Sequence, residues 1–468
     1  MPENIILRQQ KKQSQNTKEN QNYSKQKIQF LFLLIVIFSF YLRLSGIYSG
    51  LPYVLNPAES NNMLDVLSVF KHIFRFDSFE TPSLFVYLNA IVVFFASWTF
   101  DVNSMLNILE VNPSGFYVPL RFVSTLFGIG SVVVVYLIGT MFSYLAGIIA
   151  GSFLAVSFLH VKFSQMFLPF SGMAFFSLLS TYFSLKSMVS KSPKIVLATI
   201  CALISASMNY IGCVSIIPVL LVLIYRKNLS KIKYLSIAFL ISFFILNPQI
   251  IFNFIEIIWT AVKNYRDGYY FYRYSAYFLY IFHFLLIGIG PVVCIAPLFL
   301  LKYKDHYDLN ALKILLSVPF VYLGILGFFH FTNEGYAVML VPYICLFSGF
   351  VFNSLYLDHD KKFTFILLLL FAIWIPFKYT IKYNKIISLS DTRVIATEWI
   401  NDNASGQVKI VHDRNSIQNK WFDVYDKKRL VVFGSDPDLL TSRQDLNIVN
   451  SKFLSRKDWF KSLRRKTD

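Results

Sequence analysis

From Ile28 to Tyr48 the chain reads IQFLFLLIVIFSFYLRLSGIY, and apolar runs of comparable length recur almost to residue 380. A helix needs about 20 predominantly apolar residues to cross a hydrocarbon core. Lipid offers no partner to a backbone N–H or C=O, so such runs must close their own hydrogen bonds as helices. Composition agrees: 55% of the 468 residues are hydrophobic, 18% aromatic and only 15% charged, with a mean hydropathy of +0.53. A soluble domain carries about a quarter charged residues. The chain is read as an all-α polytopic membrane protein.

The formal net charge of +18 does not point to nucleic acid. Lys and Arg gather in short segments between apolar runs and again near the end of the chain, which is the pattern of membrane topology. No zinc-finger spacing or aromatic-basic RNA-binding motif accompanies them. Cys201, Cys213, Cys294 and Cys345 all fall inside apolar runs without a CxxC pair, so neither a disulfide framework nor a cysteine metal site is expected. His160, His283 and His330 lack metal-ligand spacing, and no cofactor is called for.

Residues 1–27, rich in Gln, Asn and Lys, read as a disordered basic cytoplasmic tail rather than a cleaved leader. Residues 28–386 read as a multi-pass transmembrane domain, with 49–117 as a long first outer loop. Within that loop, LFVYLNAIVVFFASWTF (84–100) is either a second crossing or a helix lying on the membrane surface. The downstream loops KSMVSKSPK, YRKNLSKIK, LKYKDHYDLNALK and LDHDKK decide: they are the most lysine-rich short loops, and a crossing at 84–100 would put all four outside. A surface helix is therefore expected, with about eleven transmembrane helices: 28–48, 118–139, 143–159, 168–186, 195–210, 211–225, 233–248, 276–300, 311–330, 336–355 and 363–380. The N-terminus is then cytoplasmic and the C-terminus outside. No sustained internal repeat of the kind seen in many secondary transporters is present.

Residues 387–468 read as a small extracytoplasmic α/β domain. DTRVIATEWINDNA has helical spacing, and QVKIVHD and KRLVVFG read as short strands. The final FLSRKDWFKSLRRK suits either a headgroup surface or a solvated terminal helix.

This topology collects Glu59, Asp65, Lys71, Arg75, Asp77, Glu80, Arg121, His160, Lys162, Lys263, Arg266, Asp267, Arg273 and Glu334 on the outer side. Carboxylates among fixed cations at a membrane surface suit sugar transfer from a lipid-linked phosphate. Arg or Lys would hold the phosphate and stabilise its charge on departure. A carboxylate would take the proton of the acceptor hydroxyl. Solvated loop charges are the bland alternative.

The order of segments resembles the GT-C superfamily of polytopic glycosyltransferases, specifically the bacterial branch related to protein O-mannosyltransferases and aminoarabinose transferases. The stretches that carry the resemblance are RLSGIYSGLPYVLNPAESNNMLDVL, TPSLFVYLNAIVVFF, LRFVSTLFGIGSVVVVYLIGTMFSYLAGIIAGSFLAVSFLHVKFSQ, GYAVMLVPYICLFSG and DTRVIATEWINDNASGQVKI. It is densest over 43–176. The resemblance implies juxtamembrane helices inside the first outer loop and a bacterial inner-membrane location. It also implies a polyprenyl-phosphate sugar donor and a lipid, glycan or protein acceptor. The chain departs from the family pattern at three places. Asn56-Pro57-Ala58-Glu59 stands where His-Pro-Asp-Glu is usual, Phe170 aligns with a second aspartate, and Gly335 aligns near an arginine.

The site residues expected on this basis are Glu59 and Asp65 as catalytic carboxylates, with Arg121, Lys162, Arg266 and Arg273 on the phosphate. Asp65 is the reserve carboxylate, on the face of Glu59 or an adjacent one if 58–75 is helical, and each of the others has an alternative. Glu59 suits an N-terminal helix turn beside Asn56 and Pro57, and Arg121 suits a snorkelling anchor. Lys162, Arg266 and Arg273 suit the aromatic-rich interface. The missing aspartates leave room for a non-catalytic lipid-glycan binding or assembly subunit and, beyond that, a lipid or glycan translocase.

Overall fold

A computed structural model describes residues 26–51, 56–71, 81–97, 113–189, 194–255, 258–259, 262, 279–328, 333–358, 361–392, 394–395, 410–413 and 430–433. The chain divides into two units, Met1–Ser388 and Leu389–Asp468.

In the first unit, α1 (Gln26–Leu44) is followed by α2 (Pro57–Lys71) and α3 (Ser83–Ala96). The bundle continues through α4 (Ser114–Thr140), α5 (Tyr144–Val156), α6 (Phe158–Ser164), α7 (Phe170–Val189) and α8 (Lys194–Met208). A 3₁₀ segment, Tyr210–Ile216, leads into α9 (Ile217–Tyr225) and α10 (Leu229–Leu246). Short helical pieces between Leu279 and His306 precede α11 (Leu309–Phe328), α12 (Glu334–Ala337), α13 (Leu340–Leu357) and α14 (Lys362–Ile387).

Among the described residues five helices are long and apolar enough to cross a membrane: Gln26–Leu44, Ser114–Thr140, Leu309–Gly327, Glu334–Leu357 and Lys362–Ile387. A sixth crossing results if α5 and α6, bent by 62°, count as one. The protein is an integral membrane protein. Three other expected spans coincide with shorter or broken helices, and the breaks have local causes. The Asn209 side chain accepts from Ile211 N and turns the chain into the 3₁₀ segment. Gly290, at φ +84°, precedes Pro291, a pair that ends one helix and starts the next.

Helix α3 has fourteen residues, or about 21 Å at 1.5 Å per residue, short of the roughly 30 Å of a hydrocarbon core. It buries Phe85, Val86, Ala90 and Val93 and exposes Ile91, Phe94 and Phe95.

The span Glu334–Leu357, made of α12 and α13, is the most enclosed of the five long helices, 89% of its apolar stretch being buried against 22% for α1 and α14. Close approach of backbones replaces the hydrophobic driving force that lipid removes. A β-carbon on Gly139 of α4 would lie 2.4 Å from the Cα of Gly147 on α5. One on Gly349 of α13 would lie 2.8 Å from the carbonyl oxygen of Ala146. Hydroxyls add directional contacts: Ser177 and Thr181 of α7 meet the Tyr343 hydroxyl at 3.0 and 2.9 Å.

In the second unit, β1 (Ile410–Asp413) and β2 (Leu430–Phe433) pair in parallel, Ile410 opposite Leu430 and Asp413 opposite Phe433. These strands fall within the two segments read as strands in the sequence. Most of DTRVIATEWINDNA and all of FLSRKDWFKSLRRK lie outside the described residues.

Candidate functional site

Asn56 starts α2. Its side-chain oxygen accepts from Ala58 N at 3.1 Å, and Pro57 takes the first helical position, where its missing N–H costs nothing. That start sets Ala58 outward and turns its neighbour Glu59 inward to 1% exposure.

Arg121, in the second turn of α4, meets Glu59 with two parallel bonds: Nε to Oε1 at 2.9 Å and Nη2 to Oε2 at 2.7 Å. Its Nη1 donates to the carbonyls of Ile47 and Ser49, both at 2.8 Å. Oε1 of Glu59 also accepts from Phe167 N at 2.6 Å. Asn62, one turn along α2, donates to Phe167 O at 3.1 Å. One ion pair thus ties the turn after α1, the start of α2, the body of α4 and the turn between α6 and α7. Both carboxylate oxygens are engaged. Breaking such an enclosed pair from one side costs about 3–5 kcal/mol. This geometry suits a clamp; for Glu59 to take a proton, an acceptor hydroxyl would have to reach a side chain almost wholly enclosed.

Asp65, on α2 beyond Glu59, is also buried, at 2%. Six residues of helix turn the two carboxylates to different sides of α2.

A second ion pair joins Lys162 of α6 to Glu334 of α12. It is more open, with side-chain exposures of 19% and 36%. Pairs exposed to this degree contribute about 0–1 kcal/mol. Tyr383 near the end of α14 feels the charges of Glu59, Arg121 and Glu334. Arg266 and Arg273 fall outside the described residues.

Beside the open pair, Phe170 of α7 covers Gly335, where a β-carbon would come within 2.3 Å of its Cε2. Phe170 is held edge-on between Phe163 at 5.5 Å and Tyr336 at 5.3 Å. Two positions that depart from the family pattern are therefore in direct contact.

A third polar centre was not among the expected site residues. Arg43, fully buried near the end of α1, donates to Leu154 O (3.3 Å) and Ala155 O (3.1 Å), carbonyls left over where α5 breaks. Of the two carbonyls, Leu154 O also receives Ser157 N at 3.4 Å. Arg43 donates as well to Ser39 and, at 3.0 Å, to His160 Nδ1. A guanidinium only donates, so Nδ1 accepts and the ring proton sits on Nε2. An arginine inside an apolar run is itself the signal that would have found this centre. Glu334 was legible only as one of fourteen outer charges, and nothing in the sequence joined Tyr383 to them. Among the described residues no group of three His, Cys, Asp or Glu side chains is placed to hold a metal.

No protein-family model and no curated protein matches the sequence. Solved structures do. The oligosaccharyltransferase of Archaeoglobus fulgidus matches over 80% of this chain and 55% of its own, at 14% identity and TM-score 0.55. The same archaeal enzyme, AglB, in complex with an inhibitory peptide and a dolichol-phosphate, matches over 82% and 58%, at 13% identity and TM-score 0.55. ArnT from Cupriavidus metallidurans bound to undecaprenyl phosphate matches over 88% of this chain and 87% of its own, at 12% identity and TM-score 0.55. The chain thus spans a little over half the length of the archaeal enzyme and most of the bacterial one. AglB and ArnT are both GT-C glycosyltransferases, and the fold of this chain is the GT-C fold.

Proposed function

We propose that the protein is a membrane-embedded glycosyltransferase that takes a sugar from a polyprenyl-phosphate donor and passes it, with inversion, to a lipid, glycan or protein acceptor. The observation that carries this reading is the placing of two ion pairs about the turn between α6 and α7 of a GT-C bundle. Structures sharing that fold were solved with dolichol-phosphate and with undecaprenyl phosphate. The open cation, Lys162, suits a lipid-borne phosphate, and the enclosed pair suits a scaffold beneath it. In this reading the ion-pair end faces out of the cell, the N-terminus lies in the cytoplasm, and α7, α10 and the three shorter or broken apolar spans bring the crossings to about eleven. The second unit is then a small extracytoplasmic α/β domain.

The test is incubation of purified protein with a panel of polyprenyl-phosphate sugars and candidate acceptors, read by mass spectrometry. Acceptor-dependent release of polyprenyl phosphate is expected. Two observations favour a second reading, a lipid-glycan binding subunit without turnover: the full engagement of Glu59 and the filling of the space over Gly335 by Phe170. Donor binding with no release across the panel would select it.

A further inference from the structure

Resting on the transferase reading, we propose that Glu334 is the carboxylate that accepts the acceptor proton, and that Lys162 holds it until a donor phosphate takes its place. The two ion pairs at this end of the bundle differ in kind. Arg121–Glu59 is enclosed and anchored to four chain segments. Lys162–Glu334 is partly open on both sides. Lys162 rises from a helix whose residues Leu159, His160, Val161, Phe163 and Ser164 are all buried, so its ammonium is set in position from below. That ammonium lies 5.6 Å from the Phe163 ring centroid. An ammonium is a compact point charge with three donors and donates to a carboxylate or a phosphate oxygen without geometric preference. A phosphate arriving from the open side therefore competes with Glu334 for the same cation.

Displacement frees the Glu334 carboxylate beside the bound donor. The acceptor oxygen then forms its bond to the anomeric carbon while its proton passes to Glu334. The bond from that carbon to the phosphate oxygen breaks, and its electron pair leaves with polyprenyl phosphate. The charge that develops there falls on Lys162. Donor binding and the unmasking of the base become one event.

The test uses full-length protein in lipid nanodiscs, with farnesyl phosphate as the binding probe and acceptor-dependent release of polyprenyl phosphate as the rate. Glu334→Gln is expected to bind farnesyl phosphate about two- to fivefold tighter, because its competitor has lost its charge. The same variant is expected to transfer about 10²–10⁴-fold more slowly. A merely structural role would weaken both. Lys162→Met should lose binding with or without the second substitution. Should Glu334→Gln fail to fold, Glu334→Ser carries the same expectation. An active wild type whose variant binds no tighter, or keeps its rate, overturns the inference alone. A wild type that binds farnesyl phosphate yet transfers nothing overturns the transferase reading and the base with it. Competition by inorganic phosphate at equal concentration would overturn the lipid-linked assignment of the seat.

Discussion

Phe170 and Gly335 are in contact so close that each fixes what the other can be: any side chain at 335 would enter the space of the ring. Gly335→Ala is expected to cost about 1–3 kcal/mol, because the added methyl meets the Phe170 ring, itself packed edge-on against Phe163 and Tyr336. Combining it with Phe170→Leu should recover part of the loss. Thermal unfolding of the four proteins in one detergent measures the coupling, and strict additivity would show that the two positions do not constrain one another.

Glu59→Ala is expected to destabilise the protein by about 3–5 kcal/mol, since it leaves the Arg121 guanidinium enclosed and uncompensated. Arg121→Lys keeps the charge but loses the fork that serves Glu59, Ile47 and Ser49 together, so it should rescue little. The readout is yield of monodisperse protein and melting temperature, taken before any activity is assayed. A fully stable Glu59→Ala protein would remove the clamp from the account.

At Arg43 the expectation concerns the break in the chain. Arg43→Met strips the bonds to Leu154 O and Ala155 O; Leu154 O keeps the Ser157 N–H, so the expected cost is that of one buried carbonyl left unpaired, about 1–3 kcal/mol. Hydrogen exchange should rise first in residues 154–160. Nitrogen NMR on labelled histidine should find the His160 proton on Nε2 in the wild type, and should lose that preference in the variant.

The crossing of α4 and α5 makes a steric prediction. Gly147→Val should prevent the backbones from meeting, since even a β-carbon there would lie 2.8 Å from Tyr136 O. Misassembly, read as loss of monodisperse protein, is the expected outcome. An intact, equally stable variant would mean that the helices can separate without penalty.

Much of the fold was legible in the sequence because lipid imposes a simple rule: apolar length implies a helix. That rule fixed the long spans and, through the lysine-rich loops, the expectation that α3 lies flat. It failed to see interruptions, because Ser157, Asn209 and the Gly290-Pro291 step are single residues inside runs that remain apolar overall. At the site, residue types at one membrane face could be collected but not paired. Glu59 and Arg121 are 62 positions apart, and Lys162 and Glu334 are 172 apart. Which carboxylate is enclosed and which is open depends on packing that no local pattern carries. Asn56-Pro57 did foretell how α2 begins, since capping is a local interaction.

The break between α5 and α6 bears on how the molecule is made. The carbonyls that receive Arg43 lie 111 and 112 residues further along the chain. The first hydrophobic segment therefore leaves the ribosome with only Ser39 of its own helix to receive the guanidinium, and the remaining acceptors come only with the fifth helix. Truncations ending before residue 154 should then yield a first segment that fails to anchor, whereas those ending after His160 should hold.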